Sequence, residues 1–295
     1  MIKTEGLIKR FGAYAALDGL DLYVPKGAVY GLVGPNGAGK TTLIRHLAGV
    51  YRANSGSVTI GGENIYENPK RKETIAYIPD DIFYFEYATI KDMMKFYAGL
   101  YPNFDRELYK RLLEAFSLRE KTSFRMLSKG MKKQAAFLLA ICSRPEVMIL
   151  DEPIDGLDPV MRRQVWNLIL QDVAERGTTV LISSHNLREL EDVCDHVGIM
   201  HKGKLLLQRS LSELQENVVK VQAVFDEMRP EGLNILHENK IGRVETLILR
   251  GNQEAIAKCL EAAKPVFFDM IPLSLEEVFI YELGGVDNEI KNVIL

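Results

Sequence analysis

Gly34-Pro35-Asn36-Gly37-Ala38-Gly39-Lys40-Thr41 satisfies the pattern G-x-x-x-x-G-K-[ST] at every fixed position. A backbone that wraps a phosphate with its N–H groups turned inward leaves no room for side chains, which is why glycines recur there. Upstream, Leu17 to Val24 and Ala28 to Val33 alternate apolar and polar residues around turn signals and are predicted strands, the second ending at Gly34. Downstream, Leu43, Ile44, Leu47 and Ala48 share one face of a helix predicted from Lys40 to Val50. Strand, glycine turn and helix in that order are the context a phosphate loop requires. The helix would offer its N-terminal N–H groups and dipole to the anion. Lys40 is expected to neutralise β/γ-phosphate charge and the Thr41 hydroxyl to hold Mg²⁺, with Thr42 beside them in the binding set. The bland alternative, a glycine turn that matches by chance, is opposed by the flanking strand and helix.

A phosphate loop alone does not separate kinases, GTPases and ATPases. Val147-Met148-Ile149-Leu150 is a continuous apolar run, as a strand buried in a parallel sheet should be, and it ends in Asp151-Glu152-Pro153. Acids at the carboxyl end of such a strand lie where open α/β sheets bind ligands. Asp151 is expected to orient Mg²⁺ through water, because Mg²⁺ keeps several of its waters. Glu152 is then placed as the general base that polarises an attacking water. The competing reading is two solvated acids capping a strand.

Further out, Gly56 to Ile65 carries Gly61-Gly62 between short apolar runs and reads as a hairpin, and Ile75 to Ile78 as a short strand. From about residue 83 to 143 the chain turns rich in Met, Leu, Lys and aromatics at helical spacing, which predicts an inserted helical subdomain. Its stripe Met93, Met94, Phe96 and Tyr97 reads as packing. A helix from Pro159 to Arg176 and a strand from Thr179 to Ser183 follow. Beyond Leu214, runs at Val218 to Phe225, Arg243 to Leu249 and Val266 to Met270, with a helix from Gln253 to Ala263, suggest a small α+β appendage.

With these residues in order, the chain resembles the nucleotide-binding subunit of an ABC transporter over about residues 2 to 215. Leu127-Ser128-Lys129-Gly130-Met131 is similar to the family's signature, Asp155-Gly156-Leu157-Asp158 to its dimer-facing loop, and Ser183-Ser184-His185 to the strand end bearing its switch histidine. Phe11 stands where the family stacks adenine, with Tyr14 as the rival ring. The resemblance implies an α/β P-loop NTPase core with an antiparallel β subdomain, the inserted helical subdomain and the C-terminal appendage. It divides the chain into a nucleotide-binding domain at 1–216 and an accessory domain at 217–295. It implies ATP and Mg²⁺ as ligands, His185 on the γ-phosphate, and Ser128 and the Gly130 N–H acting on ATP held by a second chain. A polytopic membrane subunit and a second nucleotide-binding subunit are the implied partners. The Ser-Lys-Gly-Met signature, and Asp80 where the family has glutamine, resemble a subclass that exports drugs, peptides or lipids. Asp80 could serve Mg²⁺ or a water. Ser274 to Ile280 resembles the tail of that subclass and reads as an amphipathic helix with a serine cap.

Composition excludes other classes. Of 295 residues, 47% are hydrophobic and 26% charged, and the net charge is −3, so no general basic field draws nucleic acid or anionic lipid. Cys142, Cys194 and Cys259 show no paired spacing and read as reduced thiols, not a disulfide frame or metal site. No leader is evident at the N-terminus, and no apolar run reaches the ~20 residues of a membrane span, so a cytoplasmic protein peripheral to the membrane is expected. Two alternatives stand beside a transport ATPase. A soluble ABC-type ATPase acting on nucleic acid or ribosomes is opposed by the single phosphate loop and the acidic balance. A non-hydrolysing regulator is opposed by the intact Lys40, Asp151, Glu152 and His185 set. Phe83, Tyr84, Phe85 and Tyr87 form an aromatic loop expected to dock the membrane partner, unless they are a local core.

Overall fold

Buried and exposed residues alternate along Ile2–Phe11 (β1) and Tyr14–Val24 (β2), which pair antiparallel and close at Phe11 opposite Tyr14. The structure, a computed structural model, describes residues 1–215, 218–225, 229–230, 232–271, 273–278 and 280–281. After β2 the chain enters Val29–Val33 (β3), buried at every position, and passes through the glycine loop into Lys40–Leu47 (α1). Ser55–Ile60 (β4) returns to pair with β1, and Glu63–Asn64 (β5) folds back on β4 across Gly61 and Gly62, both at positive φ. The expected hairpin is therefore present, as the edge of a four-stranded antiparallel sheet ordered β2-β1-β4-β5.

A short helix, Pro69–Lys72 (α2), leads to Ile75–Ile78 (β6). Residues 83–87, expected to begin the helical subdomain, contain no helix; regular structure resumes at Ile90–Leu100 (α3). Thr89 and Asp92 exchange side-chain and backbone hydrogen bonds there, satisfying N–H groups a helix start otherwise strands. Arg106–Ala115 (α4) follows, then Lys129–Cys142 (α5), whose N-cap is Ser128. All residues of α5 from Lys133 to Cys142 are buried, so this helix is the spine of the subdomain.

Val147–Asp151 (β7), Pro159–Arg176 (α6) and Thr179–Ser184 (β8) come next, followed by a single turn at Arg188–Glu191 (α7) and two strands, His196–His201 (β9) and Lys204–Ser210 (β10). The central sheet is ordered β10-β9-β3-β8-β7-β6, with β3, β8, β7 and β6 parallel. Strands β3, β7 and β8 are buried at every position, as expected where other layers cover each side. Leu32, Ile149 and Leu181 share one continuous core with α1 and the antiparallel sheet.

The chain divides into two compact units, Met1–His185 with Gly198–Leu207, and Asn186–Val197 with Gln208–Leu295. The second unit includes α7, Leu211–Gln215 (α8), Val218–Val224 (β11), Ile235–Ile241 (β12), Val244–Arg250 (β13), Gln253–Ala262 (α9), Phe267–Ile271 (β14) and Leu275–Val278 (α10). Its antiparallel sheet runs β12-β13-β11-β14, and Ile256 and Leu260 of α9 close a small core on Val221, Leu247 and Leu249. Ser274 and Glu277 exchange hydrogen bonds of 3.2 and 3.0 Å at the start of α10, so the expected serine cap is present. Phe279, part of that expected segment, lies outside the described residues.

Candidate functional site

The phosphate loop is shaped by contacts that only glycine tolerates. Gly39 sits at φ +106°, and a Cβ on it would lie 2.6 Å from the Ala16 carbonyl oxygen. A Cβ on Gly34 would meet the Met200 carbonyl oxygen at 2.4 Å. The loop from Pro35 to Thr42 lines an open cleft of about 320 Å³ with Tyr14, Asp80 and Glu152. Thr41 is exposed in the first turn of α1, where a helix leaves N–H groups without a partner inside it. Lys40 is buried, and its ammonium donates to the Gly34 carbonyl at 2.5 Å. Burial pushes the Lys40 pKa down, against the pull of the Glu152 and Asp151 carboxylates.

The acids arrive from the next strands of the sheet. The parallel register sets Asp151 beside Ser183, and the Ser183 hydroxyl donates to Asp151 Oδ1 at 2.6 Å. Asp151 is only 2% exposed. Glu152 adopts a left-handed conformation, φ +46°, unusual for a side chain of its size. Its N–H donates to the Ser183 hydroxyl at 3.1 Å and to the Ser183 carbonyl at 3.2 Å. Its carboxylate lies 3.7 Å from the Lys40 ammonium through Oε1 and 3.0 Å from His185 Nδ1 through Oε2. The structure thus brings Lys40, Asp151, Glu152 and His185 together at the carboxyl ends of β3, β7 and β8.

Thr41, Asp151 and Asp80 are all oxygen donors, a hard set that suits Mg²⁺ alongside phosphate and water. Among the described residues no group of three His, Cys, Asp or Glu could hold a metal by itself. Asp80 reaches the cleft wall, half-exposed, with Oδ1 3.6 Å from Lys133 Nζ.

Three expected site residues stand apart. Phe11 does not line the cleft; it packs edge-on against Tyr51 at 5.7 Å, and the cleft's aromatic ring is Tyr14, whose hydroxyl donates to the Gly37 carbonyl at 3.4 Å. Ser128 and Gly130 sit at the start of α5, outside the cleft of their own chain. A Cβ on Gly130 would find its nearest neighbour at an ordinary 3.5 Å, so nothing within this chain demands glycine there. Lys129 starts the helix without strain and pairs with Asp155 at 2.8 Å, while Asp158 caps α6 by accepting from the Val160 and Met161 N–H groups. Two contributors escaped the sequence reading, Ser183 as the partner of both acids and Lys133 as a buried donor to Glu152. The register of β7 against β8 would have found the first; a lysine that opens the long buried stretch of α5 from Lys133 to Cys142 hints at the second.

The family profile described as "ABC transporter" matches residues 17–155. The chain is 33% identical over 290 residues to the ABC transporter ATP-binding protein YtrB of Bacillus subtilis (strain 168), covering 97% of this chain and 99% of that one. It is 31% identical to the bacitracin transport ATP-binding protein BcrA of Bacillus licheniformis, covering 97% and 98%. A solved structure titled as the ATP binding subunit of an ABC transporter superposes with a TM-score of 0.68 at 28% identity, over 73% of this chain and 92% of that one.

Proposed function

We propose, from the premise that the chain belongs to the ABC transporter family as an ATP-binding and hydrolysing subunit, that it powers export of a drug, peptide or lipid through a separate membrane subunit. The relative named for bacitracin transport supports an export substrate of that kind. The observation that carries the hydrolytic reading is the Glu152 carboxylate, held between Lys40 and His185 over the phosphate loop.

In this reading the loop N–H groups and α1 grip the phosphates. Lys40 exchanges the Gly34 carbonyl and Glu152 for the β/γ-phosphate, which frees the Glu152 carboxylate to accept a proton from water. His185 steadies that carboxylate and reaches the γ-phosphate. Thr41 and Asp151 would hold Mg²⁺, Asp80 joining them through water. The ion would supply charge neutralisation on the phosphates. Tyr14 or Phe11 would cover adenine; stacking contributes about 1–3 kcal/mol. Ser128 and Gly130, exposed or half-exposed at a helix start, would complete the site of a second chain, so that two chains close head to tail around two nucleotides.

The test is Glu152→Gln. Steady-state ATPase should fall by about 10²–10⁴-fold, the share a positioned base supplies, while ATP-dependent dimerisation persists or strengthens. Turnover near that of the wild type would remove Glu152 from the role.

A further inference from the structure

We infer that Lys133 is a positioning residue for ATP hydrolysis, its ammonium fixing the Glu152 peptide, and through it the carboxylate, at the mouth of the phosphate loop. The inference rests on Glu152 as the base.

Lys133 is 0% exposed, on a stretch of α5 that is otherwise apolar apart from Gln134. A lysine is almost never so buried unless its charge has partners. Here Nζ donates to the Glu152 carbonyl oxygen at 2.6 Å and lies 3.6 Å from Asp80 Oδ1. One turn earlier on the same helical face, Lys129 pairs with Asp155 at 2.8 Å. Two lysines of α5 therefore hold the two ends of the turn from Glu152 to Asp155.

The backbone of Glu152 explains why the grip matters. Its left-handed conformation costs free energy and persists only where surroundings over-determine it. Ser183 holds the N–H and Lys133 holds the carbonyl, so both ends of the residue are tied. Released at the carbonyl, the peptide can rotate toward an ordinary conformation and carry the carboxylate away from Lys40 and His185. Lys133 also joins two walls of the nucleotide cleft, because Asp80 and Glu152 both line it.

The experiment compares the 295-residue chain with its Lys133→Met variant, in which methionine roughly keeps the side chain's length and removes the donor. The charge it leaves behind, Asp80, is 54% exposed and stays hydrated, so no ion is stranded in the interior. The expected result is a fall in kcat on the order of 10²-fold, the cost of a misplaced catalytic group, with KM, the Kd for a fluorescent ATP analogue and the thermal midpoint held. Lys133→Gln, which keeps an uncharged N–H donor, should retain intermediate turnover; if Lys133→Met does not fold, the same split between kcat and affinity is read in this variant. A kcat within about twofold of wild type, or a loss that tracks the thermal midpoint or nucleotide affinity, overturns the assignment. Glu152→Gln measured alongside separates the two claims. If it too keeps turnover, the base assignment fails; if it collapses while Lys133→Met does not, only the role of Lys133 fails.

Discussion

Ser183 touches both acids of the site, donating its hydroxyl to Asp151 and accepting the N–H of Glu152. Asp151 is closed off from solvent, so no water can take over that donation at low cost. Ser183→Ala should therefore destabilise the fold by about 1–3 kcal/mol, read as a lower urea midpoint at unchanged slope. A midpoint equal to wild type would mean the hydroxyl carries no weight there. What sequence reveals at this scale follows from how local the constraint is. Gly34 and Gly39 are legible because a backbone too close to Met200 or Ala16 for any Cβ leaves its trace in residue type. Ser183 and Lys133 are not, because each matters through a neighbour that only strand register or helix packing supplies. Tyr14 and Phe11 end adjacent strands as a cross-strand pair, so composition alone could not say which ring faces the cleft.

Helices were legible where capping chemistry is local. Asp158, Pro159 and Gly177 bracket α6 at its expected bounds, Gly177 at the left-handed conformation a helix exit favours. β12 was missed because five of its seven residues, His237 to Ile241, are exposed; its identity as a strand comes from pairing with β13, not from an apolar pattern. The start of α4 gives an element-scale prediction. Asp105 accepts from the Glu107 and Leu108 N–H groups at 3.1 and 2.8 Å, and its other oxygen takes two bonds from Arg144. The Leu108 N–H first, then Arg144, hold its carboxyl below the usual aspartate range. Asp105→Ala should cost about 1–2 kcal/mol through the lost cap. With a depressed folded pKa, that contribution is full above the unfolded value, about 4, and is lost as pH falls through the folded value. The gap in urea midpoint between wild type and variant should thus be flat near neutrality and narrow only below about pH 4. A gap that narrows between pH 8 and 6 would assign it to some other group.

At the scale of the whole molecule, the question is how ATP chemistry reaches a membrane. Among the described residues no helix is long and apolar enough to cross one, and the coupling proposed here runs through a protein surface. The aromatic loop after β6 divides cleanly. Tyr84 turns inward, stacked on Phe124 and accepting from Lys132 at 3.0 Å, and so belongs to the subdomain's own packing. Phe83, Phe85 and Tyr87 turn outward, 64%, 46% and 80% exposed, and Phe96 of α3 extends the patch edge-on to Phe85. The methionines beside Phe96 are buried, so the stripe read as packing is split between core and surface. Contiguous exposed aromatics of this kind suit the proposed contact with a membrane subunit, and central aromatic anchors carry most of such an interface's free energy. Replacing Phe83 and Tyr87 by serine should weaken retention on membranes that hold the co-expressed membrane subunit by about 30-fold or more, corresponding to a hot-spot loss of about 2 kcal/mol. Mg·ATP binding and the thermal midpoint of the purified chain should hold, since neither side chain is needed inside. Tyr84→Ala makes the contrast, because it removes a stacked ring and should lower the thermal midpoint of the isolated chain. If the serine variant loses thermal stability as Tyr84→Ala does and keeps its membrane retention, the outward aromatics are a local core and the contact lies elsewhere on the helical subdomain.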